Sequence, residues 1–227
     1  MLIAGNWAER KSGETFEVTN PANGDVITEL PDGGREEAAR AIDAAYEAFP
    51  AWAAATAYHR SKILYRAWQL MLERKDHLAR TMTEEQGKPL RAATTEVQYA
   101  ADFLLWFAEE AKRVYGETIP SARPDQRFIV MHQPVGVVAA VTPWNYPVSM
   151  ITRKVGPALA AGCTVVLKPA EATPLCAIET FKILEEAGVP KGVINLVTAK
   201  DPRPVGEEFV SNPKVAKLTF TGSTAVG

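Results

Sequence analysis

Two short apolar runs joined by a helical pattern constrain the fold of this chain more than any other feature. Residues 137–141 are apolar throughout and rich in β-branched side chains, as expected of a strand buried on both faces. Apolar side chains then recur at helical spacing over 148–161, Gly162 follows as a helix terminator, and a second apolar run covers 164–167. This order of strand, loop, helix and strand predicts a βαβ crossover unit.

The same alternation continues towards the end of the chain. It predicts a helix over 175–184, a buried strand over 193–197, a short helix over 205–210 and a strand over 217–221. Apolar strands alternating with helices are typical of a parallel sheet covered on both faces. The sequence therefore predicts an α/β fold with a doubly wound parallel sheet.

The first half of the chain has a different pattern. Short extended pieces between turn signals predict small hairpins over 2–30, and three apolar stripes, over 38–49, 63–78 and 97–108, predict three amphipathic helices with a break at 86–89. Prolines exclude a regular helix over 118–125. The strand predicted over 126–133 is apolar on both faces, so it is either buried or pairs with another chain. We expect three units, at 1–117, 118–135 and 136–227.

Charge and cysteine content exclude several classes of function. The 227 residues carry a net charge of −2 with both signs interspersed, so we expect no nucleic-acid partner. No stretch approaches the roughly 18 to 20 apolar residues of a membrane span, and a cytosolic protein is expected. Cys163 and Cys176 lie in apolar contexts without metal-ligand spacing, so we expect structural cysteines and no metal site.

Two polar residues near the end of the first strand of this unit are candidates for chemistry. Asn145 lies in a loop stiffened by Pro143 and Pro147, and a side-chain amide held there could donate to an oxyanion. Arg153 follows on the helix, where its guanidinium could hold a carboxylate. The alternatives, an ordinary turn asparagine and a surface arginine, remain open at this point.

Loops after the second and fourth strands of this half suggest a nucleotide site. Lys168 and Glu171 follow the second strand, and an acidic residue there can accept hydrogen bonds from ribose hydroxyls while repelling a 2′-phosphate, which favours NAD. The segment 222–227 follows a strand and resembles the first turn of a helix, whose N–H groups bind phosphate. Both segments can also be ordinary loops.

Several motifs together resemble the aldehyde dehydrogenase superfamily. These are TPWNYP, MITRK, GPALAAGCTVVLKPAEATPL and KLTFTGSTAVG, in that order and spacing, and the opening LIAGNW and the segment EQGKP are also similar. From Trp106 onward the sequence most resembles the succinate-semialdehyde dehydrogenases. The resemblance covers nearly the whole chain.

The resemblance implies a Rossmann-like NAD-binding domain, an aldehyde substrate, a homo-oligomer and an oligomerisation arm within 118–135. It assigns Asn145 as the catalytic oxyanion amide and Arg153 as the residue that binds the substrate carboxylate. NAD is the implied cofactor, with NADP also possible. Pro202 replaces a glycine common in the family, and the implied cofactor-binding residues are Pro143, Trp144, Lys168, Ala170, Glu171, Gly206, Phe220, Gly222 and Ser223.

The resemblance also implies that the nucleophilic cysteine and the general-base glutamate lie downstream of residue 227. The chain is then the N-terminal, cofactor-binding part, inactive alone, of an enzyme that oxidises succinic semialdehyde to succinate through a cysteine thiohemiacetal. The alternative is a nucleotide-binding or assembly module without catalysis. Because Gly227 lies one turn into the phosphate-binding helix, we expect residues 1–227 alone to bind NAD weakly.

Overall fold

The computed structural model of this chain describes residues 1–7 and 14–224. Ten strands lie in the described residues: β1 (Leu2–Ile3), β2 (Asn6–Trp7), β3 (Thr15–Thr19), β4 (Val26–Pro31), β5 (Glu117–Pro120), β6 (Arg127–Val130), β7 (Val137–Val141), β8 (Thr164–Lys168), β9 (Ile194–Leu196) and β10 (Val215–Phe220). The α-helices there are α1 (Arg35–Ala54), α2 (Ala57–Glu73), α3 (Lys75–Gln86), α4 (Leu90–Glu110), α5 (Ser149–Ala161), α6 (Pro174–Glu186) and α7 (Arg203–Ser211).

A six-stranded sheet in the order β10-β7-β8-β9-β1-β2 forms the centre of the fold. The four strands β10, β7, β8 and β9 are parallel, and β1 and β2 add an antiparallel edge. Alternate residues of β7 enter two separate cores: Val138 and Ala140 pack with helices α2 to α6, whereas Val137 and Ala139 pack with α1 and α7. The predicted α/β fold with a doubly wound parallel sheet is confirmed.

The first strand of the chain has a role that the sequence did not indicate. The predicted hairpins are present, as β1 with β2 and β3 with β4. However, β1 also pairs with β9, with Leu2 opposite Leu196. Leu2 is fully buried. The N-terminal residues therefore extend the central sheet.

The helix predicted from the stripe over 63–78 was wrong, because this stripe belongs to two helices. The chain turns at Arg74, which adopts φ −103° and ψ 17° between α2 and α3. Arg74 also forms an ion pair with Glu186 at the end of α6. Arg74 is neither glycine nor proline, so no local helix breaker marks this position in the sequence. No helix within residues 1–7 and 14–224 is both long and apolar enough to cross a membrane.

Strands β5 and β6 form an antiparallel hairpin that lies apart from the central sheet. Every residue of both strands is exposed. Of the two interpretations of the strand over 126–133, burial within this chain was therefore wrong. The exposed strand edges remain available for pairing.

Two buried glutamates connect helices α3 and α4 to α6 and α5, the crossover helices of the sheet. Glu96 on α4 accepts hydrogen bonds from the N–H groups of Val148 and Ser149, at 3.1 and 3.2 Å. Glu85 on α3 accepts from Leu175 and Cys176 at 2.7 and 2.8 Å. Carboxylates at these positions satisfy unpaired N–H groups and interact favourably with the helix dipole. The starts of α5 and α6 are thus held from outside the βαβ unit.

The Glu85 carboxyl makes protein stability depend on pH. Burial raises its pKa from 4.5 to about 7, although its two N–H donors oppose the shift. Between pH 4.5 and 7 the folded protein keeps a proton that the unfolded chain releases, so the free energy of unfolding falls as pH rises through this window. We expect a loss of up to roughly 3 kcal/mol from this group.

Urea unfolding of the wild type and of Glu85→Gln at pH 5 and pH 7.5 tests this prediction, because glutamine does not titrate. The stability of the wild type relative to the variant should decrease at the higher pH. A difference that stays constant with pH would contradict the prediction.

Candidate functional site

A cavity of about 460 Å³ opens where β7, β8 and β10 end. Because these strands are parallel, their carboxyl ends meet at one edge of the sheet, where ligands of such folds bind. The cavity brings together most of the residues singled out from the sequence: Pro143, Trp144, Asn145, Lys168, Ala170, Glu171, Phe220, Gly222 and Ser223.

Asn145 lines this cavity, and its main chain is held by the end of α3 and the segment that follows it. Its carbonyl oxygen accepts hydrogen bonds from Gln86 Nε2 at 3.2 Å and Lys88 Nζ at 2.8 Å. Its carboxamide has no hydrogen-bond partner among the described residues. The amide N–H groups are therefore free to donate to a ligand in the cavity.

Lys168 and Glu171, which line the same cavity, form an ion pair. The Lys168 ammonium lies 3.0 Å from Glu171 Oε2. Lys168 is only 3% exposed, whereas Glu171 is exposed. Lysine is rarely buried unless it is paired, so the interpretation of Lys168 as a solvated loop charge was wrong. The pair offers a ligand both hydrogen-bond donors and carboxylate acceptors.

Gly206 lines an adjoining cavity of about 380 Å³ instead of the first one. Lys168, Pro202 and Phe220 line both spaces, so the two cavities adjoin each other at these residues. A Cβ atom built on Gly206 would have no heavy atom within 4 Å. The α7 backbone is thus open to close approach by a ligand.

The glycine-rich segment after β10 is described only in part. Gly222 and Ser223 reach the cavity, and a Cβ on Gly222 would lie 2.4 Å from the Phe220 ring. The helix turn predicted over 222–227, with its phosphate-binding N–H groups, depends on residues 225–227, which lie outside the described residues.

Arg153 is not placed in the cavity that contains Asn145. It lines a separate cavity of about 260 Å³ on the flank of α5. Its guanidinium lies over the Phe103 ring at 5.4 Å, and its Nη1 is 3.9 Å from the sulfur of Met150. Met150 does line the Asn145 cavity. One side chain therefore separates the proposed carboxylate-binding residue from that cavity.

Sequence reasoning missed the residues that support the Asn145 loop. The segment 86–89 was interpreted as a helix break and as part of the family resemblance, with no contact assigned to Gln86 or Lys88, and Glu96 was assigned no role. Glu96 is 3% exposed and lies beside the buried Val97. An acidic residue on the apolar side of a helical stripe is the one signal that could have indicated a buried polar contact.

Both cysteines are buried and free. Burial raises the pKa of the Cys176 thiol, and the neighbouring Glu85 carboxyl raises it further. A thiol with a raised pKa is a poor nucleophile. These observations agree with a structural role for Cys176.

Comparison with known proteins gives a consistent result. The model of the "Aldehyde dehydrogenase family" matches residues 7–227. Over the whole chain, the sequence is 56% identical to the NADP(+) succinate-semialdehyde dehydrogenase of Escherichia coli, covering 47% of that protein. It is also 56% identical to the glutarate-semialdehyde dehydrogenase of Pseudomonas aeruginosa, covering 99% of this chain and 46% of that protein.

The fold is also shared with solved structures. Betaine aldehyde dehydrogenase from Staphylococcus aureus, solved in complex with NAD+, superimposes with a TM-score of 0.96 at 37% identity. The match covers 100% of this chain and 45% of that chain. The chain thus spans about half the length of the relatives it matches.

Gly206→Ala separates protein stability from ligand binding. Alanine in a helix interior should stabilise the protein by about 0.5 to 1 kcal/mol, since the new methyl group meets no protein atom. The same methyl group enters the space adjoining the cavity, so we expect dinucleotide binding to weaken by about fivefold or more. Urea unfolding and titration calorimetry with NAD, both on the complete enzyme, measure the two effects. An unchanged affinity for NAD would contradict the assignment of Gly206 as a cofactor-binding residue.

Proposed function

Because this chain belongs to the aldehyde dehydrogenase family, we propose that it forms the cofactor-binding part of an enzyme that oxidises an aldehyde to a carboxylic acid. The observation that carries the proposal is the convergence of the Asn145 amide and the Lys168–Glu171 pair on one cavity. An unpartnered amide and a paired lysine in the lining of one cavity suit a site that binds a cofactor and stabilises a developing negative charge.

NAD is the proposed cofactor, and NADP a second, weaker one. The two adjoining cavities, of about 460 and 380 Å³, have the size of small-molecule sites. Glu171 would accept hydrogen bonds from the adenosine ribose, Lys168 would donate to it, and Gly206 and Phe220 would line the base. The Glu171 carboxylate would repel a 2′-phosphate, which favours NAD. When bound, the cofactor supplies the hydride acceptor.

Asn145 is the proposed oxyanion donor. Asn145 lines the cavity, and its carboxamide has no hydrogen-bond partner among the described residues, so it would donate to the substrate oxygen as negative charge develops there. We propose that the attacking cysteine thiolate and the glutamate that activates water come from beyond residue 227. Neither Cys163 nor Cys176 suits the role of nucleophile, because both are buried.

The proposed substrate is an aldehyde that carries an acid group, with succinic semialdehyde as the first candidate. Two relatives, each 56% identical, are named for succinate and glutarate semialdehydes. Arg153 would bind the distant carboxylate. The Phe103 ring beneath its guanidinium would limit the positions that this side chain can adopt.

We also propose that the enzyme is a homo-oligomer. The β5–β6 hairpin is exposed along both strands, and its free edges could pair with a second copy of the protein. The unit boundaries at residues 117 and 135 and the cytosolic location stay predictions.

Replacing Asn145 with alanine tests the proposed function. In the enzyme encoded by the complete reading frame, Asn145→Ala should lower kcat for NAD-dependent oxidation of succinic semialdehyde by about 100-fold, because one oxyanion donor is lost. Steady-state assays of NADH formation measure this change. A wild-type enzyme that oxidises no aldehyde would overturn the proposed function, and unchanged turnover in the variant would remove the role of Asn145.

Arg153→Ala tests the substrate class. We expect KM for succinic semialdehyde to rise about tenfold or more, whereas KM for an uncharged aldehyde such as butanal should change little. Arg66→Ala is a matched control, since Arg66 is paired with Glu73 at the surface and should leave both KM values unchanged. Equal effects of Arg153→Ala on both aldehydes would contradict carboxylate binding.

A further inference from the structure

Lys88 makes an unusual set of contacts for a residue between two helices. Its ammonium donates to the Asn145 carbonyl oxygen at 2.8 Å, forms an ion pair with Glu96, and lies over the Tyr146 ring at 4.2 Å from the centroid. The side chain is only 13% exposed. Burying an ammonium group is costly unless it is paired. These contacts therefore fix the position of the ammonium closely.

Glu96 connects Lys88 to the start of α5. One carboxylate oxygen pairs with Lys88, and the other accepts the N–H groups of Val148 and Ser149. The side chain of Glu96 is 1% exposed. Lys88 thus holds the loop over 143–147 at its centre, and Glu96 holds the start of the helix immediately after the loop. Gln86 adds a second donor to the Asn145 carbonyl at 3.2 Å.

Holding the carbonyl oxygen restricts the direction of the Asn145 side chain. This oxygen belongs to the planar peptide group that joins Asn145 to Tyr146. Two hydrogen bonds to the oxygen therefore limit the rotation of that whole peptide group. Pro147 further restricts Tyr146, the residue before it. Once the Asn145 main chain is fixed, only the two side-chain torsions remain to orient the carboxamide.

We propose that Lys88 is a positioning residue for the Asn145 amide in aldehyde oxidation. Lys88 does not line the Asn145 cavity, so it acts through the Asn145 main chain and not on the substrate. An oxyanion donor stabilises the transition state only when its N–H reaches the developing charge with correct geometry, and a displacement of about 1 Å can cost about 100-fold in rate. This inference rests on the proposed function.

The test compares Lys88→Met with the wild type in the complete enzyme. We expect kcat for succinic semialdehyde to fall by about tenfold or more, with KM for NAD changed less than about threefold, because the lost interaction matters mainly in the transition state. Lys88→Arg, which keeps a cation near Glu96, should recover part of the activity. Lys75→Met is the matched control. Lys75 on α3 donates to Gln98 on α4 at 3.0 Å, so its replacement also removes a lysine contact between helices but should leave kcat unchanged.

A double-mutant cycle distinguishes positioning from general support of the fold. If Lys88 acts through the Asn145 amide, Lys88→Met should lower kcat by less than about twofold in the Asn145→Ala background. Because Lys88→Met leaves the Glu96 carboxylate unpaired, it could destabilise the protein. In that case Lys88→Met with Glu96→Gln removes both charges, and the same comparison is made with this pair.

The outcomes separate the inference from the function it rests on. A wild-type enzyme without dehydrogenase activity would overturn both. An active wild type whose kcat is unchanged in the Lys88 variant would overturn the inference alone. An equal fall in kcat with and without the Asn145 carboxamide would do the same, since it would show a structural role only.

Discussion

Two carboxylates that bind helix N-termini hold the parts of this structure together. Glu85 and Glu96 project from the helical layer and accept the first N–H groups of α6 and α5. Each of these helices begins just after a loop that follows a strand of the sheet. The position of the loops therefore depends on helices that precede the sheet by many residues. Without these contacts, both crossover helices would begin with unpaired N–H groups in a buried setting.

The candidate site follows from this arrangement and from the parallel sheet. Adjacent parallel strands bring residues from separate loops to one edge, and the register of β7 with β8 places Val141 beside Lys168. Asn145 follows the first of these strands, and Lys168 ends the second. The parallel strands determine the spacing between these residues, whereas Lys88 and Glu96 hold the loop that carries Asn145 and the helix after it.

Local pattern was sufficient to predict the elements from residue 137 onward, because buried strands and amphipathic helices have distinct apolar periods. It was also sufficient to place Asn145 and Lys168 near each other. The break at Arg74 and the pairing of β1 with β9 were not predictable in this way, since neither has a glycine, a proline or a periodic signal. The contact of Lys88 with Asn145 joins positions 57 residues apart, and its partners are hydrogen-bonding atoms that no hydropathy pattern reveals.

The pairing of β1 with β9 has a consequence for how the chain reaches its native state. Of the strands described here, β1 comes first along the chain, and β9 is synthesised only after most of the others. Until then, Leu2 can pair only with Trp7 of β2, in a hairpin of two-residue strands. Because an isolated two-stranded hairpin is only marginally stable in water, this edge of the sheet is completed late, by a non-local contact of the kind that slows folding.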